Sequence, residues 1–120
     1  MTRDEKFTAI VERLKIAGDD FDPAHISAMV IVGYLDDMSK AGLIESEYST
    51  TESGRSARAI CEEFDWKPSD IELLAFVNGM VDAPERSAFM FLLKKYRDDR
   101  QGLLEEFEKS KQSGEIPPTA

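Results

Sequence analysis

An all-α fold, a single-domain bundle of about five helices, is what this sequence predicts, and three observations predict it. Apolar residues recur at three- and four-residue steps along most of the chain. The gaps between those stretches carry helix caps and stops, with serine, threonine or aspartate before and glycine or proline after. Its 120 residues, 42% hydrophobic and 32% charged, suit one soluble domain that buries about two thirds of its unfolded surface.

Thr2 followed by Glu5 has the form of a capping box, and Phe7, Ile10, Val11 and Leu14 then make one stripe. A first helix is expected over about 3–17, stopped by Gly18. Asp19–Asp22 make a turn, and Asp22 caps a second helix with Pro23 in its first position. That helix runs to about Ala41, where Gly42 supplies a left-handed stop. Residues 43–50, LIESEYST, have no helical period and read as a loop or one very short hairpin. Thr51 or Ser53 starts a third helix with Ala57, Ile60, Cys61 and Phe64 inward, and Arg55, Arg58, Glu62 and Glu63 on its wet side. Trp66-Lys67-Pro68 ends it. Ser69 and Glu72 open a fourth helix, and Asp82, Pro84 and Glu85 a long last one over about 83–109. Its seam is Phe89, Leu93, Tyr96, Leu103 and Phe107, with Arg100 as the charged member and a break at Gln101-Gly102 as the alternative to continuity. The helical domain is thus 1–111, and 112–120, with two adjacent prolines, is expected to be a disordered tail.

Residues 28–35, AMVIVGYL, carry no charge, and 71–81, IELLAFVNGMV, are nearly as apolar. Helices apolar all round are buried or shared between chains, so both are expected at the middle of the bundle. Phe91 instead falls on the wet side of the last helix with Ser87, Lys94, Lys95 and Asp98, a modest interface signal.

Residues 35–60, LDDMSKAGLIESEYSTTESGRSARAI, resemble the segment of winged helix-turn-helix regulators that joins recognition helix, wing and following helix. The matching residues are Leu35, Ala41, Gly42, Leu43, Ile44, Glu45, Tyr48, Thr51, Glu52, Gly54 and Arg55. The resemblance implies a DNA-binding transcriptional regulator, dimeric through its last helix, with Lys40, Arg55 and Arg58 on the nucleic acid.

Charge argues for a different partner. The net charge is −9, and residues 19–52 hold eight acids against the single base Lys40. A duplex repels such a surface, because phosphate neutralisation needs a basic face. The basic residues concentrate in 86–111, at Arg86, Lys94, Lys95, Arg97 and Arg100, where helix pairing or a second copy can use them.

The sequence offers no catalytic set. His25 is the one imidazole, placed for a local contact with Asp22, and Cys61 sits on an apolar stripe as a small buried hydrophobe. One cysteine and one histidine make a typical zinc site improbable, and Asp20-x-Asp22 lacks the later ligands of a calcium loop. No cofactor or metal is expected. Neither an apolar run of membrane length nor the apolar region of a leader is present, so a cytoplasmic protein is expected. The expected function is that of a small acidic, non-enzymatic regulatory protein acting by protein–protein interaction. It would form a homodimer through the C-terminal helix and inhibit a partner with a basic surface. Phe91, Asp36, Asp37, Glu45 and Glu47 are the candidate partner-binding residues.

Overall fold

The structure, a computed structural model, describes residues 1–16, 18 and 23–112. It is all-helical: α1 (Arg3–Ile16), α2 (Pro23–Lys40), α3 (Glu52–Glu63), α4 (Asp70–Met80) and α5 (Arg86–Gln112), with a 3₁₀ turn, Ala83–Glu85, before α5. The turn expected at Asp19–Asp22, the Asp22 cap and the tail after Gln112 lie outside the described residues. None of the described helices is long and apolar enough to cross a membrane.

Local chemistry sets most helix ends. Thr2 Oγ1 accepts from Glu5 N at 3.2 Å while Glu5 Oε1 accepts from Thr2 N at 3.3 Å, a reciprocal capping box. Thr51 caps α3 by accepting from Gly54 N, and Ser69 caps α4 by accepting from Glu72 N. At the end of α2, Gly42 adopts φ +81°, and the N–H groups of Gly42 and Leu43 return to the carbonyls of Ser39 and Met38. Residues 43–50 then continue without a strand, so the short hairpin does not form. Ser46 lies in a bend and Glu47 in coil, and no ladder joins their flanks.

α3 ends differently from expectation. The chain turns before Trp66-Lys67-Pro68, with Asp65 at φ +52° and the N–H groups of Asp65 and Trp66 bonded to the carbonyls of Glu62 and Cys61. That is the same six-to-one closure as at Gly42, made by a residue with a Cβ.

α2 lies at the centre, packing against α3, α4 and α5, with Ile26, Val30, Ile31, Leu35 and Met38 at most 1% exposed. Ile10 and Leu14 of α1, Ala57 and Cys61 of α3, and Leu93, Tyr96 and Leu103 of α5 complete the core. The expectation for residues 71–81 is overturned. α4 is peripheral, sending Leu73 and Val77 inward and leaving Ile71, Leu74 and Met80 exposed.

α5 breaks at Asp99 (φ −150°, ψ 66°), three residues before the glycine. Asp99 Oδ1 accepts from Gly102 N at 3.1 Å, so Asp99 is an N-cap in mid-helix and Gly102 the third residue of the new segment. A Cβ on Gly102 would meet Asp99 Oδ2 at 2.1 Å, which reserves this position for glycine while the cap stands.

Two predictions follow from these ends. Asp99→Ala should cost about 1 kcal/mol, as a lost N-cap does. Gly102→Ala should bring no gain in the native chain, yet about 1 kcal/mol in the Asp99→Ala background, where only helix propensity remains. Denaturant unfolding of the four chains checks this, and an equal gain in both backgrounds contradicts the cap. Asp65→Gly should raise stability by up to about 1 kcal/mol, since left-handed backbone costs an L-residue about that much and glycine returns part of it as chain entropy.

Candidate interaction surface

The exposed residues of α4 follow from its period. Ile71, Leu74, Ala75 and Asn78 fall within one outward arc and are all exposed, and Gly79 and Met80 extend it. Ile71 is 80%, Leu74 47% and Met80 66% exposed, and the helix's charges, Asp70 and Glu72, lie in its first turn.

α5 runs back beside α4, its register set by Asp70, whose carboxylate meets Lys94 Nζ at 3.2 Å and Arg97 Nη1 at 2.6 Å. Phe91 precedes Lys94 by three residues and Leu74 follows Asp70 by four, so each stands one turn further along the same antiparallel seam. Phe91 is 67% exposed, and the uncharged, exposed Ser87 and Ala88 share its side of α5. Ile71 and Leu74 of α4 and Phe91 of α5 are thus exposed apolar residues on two helices that the Asp70–Lys94 and Asp70–Arg97 ion pairs hold side by side. The Arg97 and Lys94 contacts hold the Asp70 carboxyl below its ordinary range.

The acidic candidates separate. Glu45 and Glu47 are exposed beyond α2. Asp36, 7% exposed, has no surface to offer a partner: Thr50 Oγ1 donates to it at 3.4 Å and Lys40 Nζ lies 3.3 Å away. Asp37 accepts from Tyr96 Oη at 2.5 Å and pairs with Arg58 Nη2 at 2.6 Å. The acidic balance of 19–52 marks both aspartates as partner-binding candidates, but Asp36 is buried beside Thr50, and Arg58 of α3 and Tyr96 of α5 engage Asp37.

Arg58 belongs inside as well. Its side chain is 16% exposed. Nη1 donates to the Gly33 carbonyl at 3.0 Å, Nε to Glu62 at 3.0 Å, and the guanidinium lies 5.4 Å from the Tyr34 ring centre. A Cβ on Gly33 would stand 2.9 Å from Arg58 Cδ, so the bare helix position admits the arginine. Lys40 and Arg55 remain exposed, Arg55 donating to the Thr50 carbonyl at 2.8 Å. Of the three bases that the winged-helix resemblance would set on DNA, Arg58 is fully committed within the fold.

A second polar cluster joins α1, α2 and α4. Glu72 accepts from Arg3 at 2.5 Å, from Ser69 at 3.1 Å and from Ser27. Cys61 is buried, which pushes its thiol up to about 12 and keeps it protonated at neutral pH. His25 is exposed at the start of α2. Among the described residues no three His, Cys, Asp or Glu side chains come together as metal ligands.

Sequence reasoning reached Phe91 and missed Ile71, Leu74 and Met80, assigning their helix to the core. The available signal was the absence of charge after Glu72 together with an aromatic residue on the wet side of the next helix. Comparison with protein-family models, curated proteins and solved structures finds no match.

The Arg58 cluster yields a stability prediction. Burial opposes ionisation of Asp37, but hydrogen bonds from Arg58 and Tyr96 outweigh it and hold the carboxyl below its ordinary 3.8. Glu72 is likewise half-buried, and although burial opposes its ionisation, Ser27 and Arg3 hold it below its ordinary 4.5. The unfolded chain takes up these protons first, so their contribution is complete above about pH 4.5 and is lost as pH falls through the lower folded values. Asp37→Asn should flatten the acid limb of a stability-against-pH curve, and an unchanged slope would show that Asp37 is not linked. Arg58→Met should cost about 2–3 kcal/mol at pH 7, because it leaves Asp37 without its cation.

Proposed function

We propose that this chain is a small acidic, non-enzymatic regulatory protein that acts by binding protein, through the face of Ile71, Leu74 and Phe91. One observation carries the reading: α4 is almost wholly apolar yet sits at the edge of the bundle. Exposed apolar surface that joins residues of two helices marks docking sites more often than scattered single side chains do. An aromatic residue at its centre is the usual anchor of such contacts.

A second copy is the simplest occupant. A twofold contact needs a self-complementary patch, and an apolar face with few charges meets that condition without matching opposite signs. Phe91 lies on α5, so this is a homodimer through the long C-terminal helix. Beyond the dimer, a net charge of −9 favours a partner with a basic surface, which the exposed Glu45 and Glu47 would meet. Occupying that surface would inhibit its owner.

Light scattering of the purified chain tests the proposal. A mass near twice 13.5 kDa is expected, unchanged by mixed duplex DNA. Phe91→Glu should weaken dimerisation on the order of thirtyfold, the effect of losing a central anchor, with helical content intact. A native chain that stays monomeric at high concentration would refute the dimer, and a mass increase with DNA would restore the nucleic-acid reading.

A further inference from the structure

On the reading that a second copy covers Phe91, the charges of α5 decide how that copy lies. Phe91 divides the outer side of the helix into two flanks. On the flank toward α4, Lys94 and Arg97 are held by Asp70, and Arg97 also by Asp98. On the other, Glu85, Ala88 and Lys95 follow one another at steps of three and seven residues, which keep them on one line of a helix.

The two charges on that line are free. Glu85 is exposed and Lys95 partly exposed, and neither makes an ion pair among the described residues. Arg86, next to Glu85, is occupied in donating to the Val81 carbonyl at 3.1 Å. The start of α5 is therefore acidic at Asp82 and Glu85, and the free cation Lys95 stands about three turns further on. Between them lie the exposed Ser87, Ala88 and Phe91.

A parallel copy would set like ends of this gradient together. An antiparallel copy sets unlike ends together, twice by symmetry. Matching Glu85 with Lys95 of the second copy puts the twofold axis beside residue 90, midway between them. Phe91 of each chain then falls next to Ser87 and Ala88 of the other, whose small side chains admit the ring. Charge and shape thus point to one register. Asp98 comes opposite Asp82 of the second copy in that register, but it carries its own cation, Arg97, at 2.7 Å. The twofold also keeps like flanks together, so the two α4 helices come to one side with their exposed Ile71 and Leu74.

We propose that the two copies pack α5 against α5 antiparallel, with Glu85 of each chain paired to Lys95 of the other and Phe91 seated over Ser87 and Ala88. Flanking ion pairs of this kind set the direction and partner of packed helices more than their affinity.

Charge reversal tests the arrangement. Lys95→Glu and Glu85→Lys alter residues outside the core, so helical content should hold in circular dichroism. Each should weaken dimerisation about tenfold in sedimentation equilibrium at low salt, because each turns two attractive pairs into two repulsive ones. Glu85→Lys is the decisive variant. It lowers the net negative charge, so general repulsion between acidic chains predicts tighter association where the contact predicts weaker. The double variant carrying both reversals should return to within about twofold of the native affinity. Single variants that dimerise like the native chain, while Phe91→Glu does not, would overturn this arrangement and leave the Phe91 contact standing. So would a double variant no tighter than the single ones. A native chain that stays monomeric would overturn the dimer itself, and this arrangement with it.

Discussion

The guanidinium of Arg58 constrains this bundle more than any other single group. A charge that is 16% exposed must have its donors met, because an unpaired buried cation costs several kcal/mol. The partners come from two elements: the Gly33 carbonyl and Asp37 from α2, Glu62 from α3 itself. Tyr96 of α5 donates to the same Asp37 oxygen that Arg58 holds, and its ring lies tilted against that of Tyr34, the centres 5.1 Å apart. Three helices therefore converge on one carboxylate. Such a pair adds little net stability over an apolar contact, yet any other packing strands the charge, so it selects one arrangement of α2, α3 and α5.

α4 is held by a different device, and the difference explains its surface. Its first turn is tied by Glu72 to Arg3 of α1 and Ser27 of α2, and by Asp70 to Lys94 and Arg97 of α5. With the start of the helix fixed by polar contacts, Leu73 and Val77 suffice to seat the remainder. Phe76 packs partly against the core, and Ile71, Leu74 and Met80 are left outside it. Polar anchoring at one end thus leaves one face of the helix exposed and an open cleft along another.

Much of the fold was legible because helix ends are decided within a few residues. The Thr2–Glu5 box, the Thr51 and Ser69 caps and the Gly42 stop each depend on a side chain bonding to backbone three residues away, or on one glycine's freedom. The ends that escaped sequence reading rest on choices the local chain leaves open. Asp65 takes a left-handed conformation that costs it energy, in a turn followed by the buried Trp66 and Pro68. Asp99 breaks α5 ahead of the glycine that was the evident weak point, because the glycine's role is to admit the aspartate cap.

The sequence by itself determined the helical class, the order of the helices and the inward stripes of α1, α3 and α5, since hydrophobic period and capping chemistry are local properties. It also placed Phe91 on the outside of its helix. Only the tertiary structure decided which apolar helix is central and which is peripheral, because α2 and α4 present nearly the same composition. It decided, too, that Arg58, Asp36 and Asp37 turn inward, since a charged residue on a helix's wet side is wet only until another helix covers it. Burial belongs to the packed arrangement of several helices, and no single segment's pattern records which neighbours it will meet.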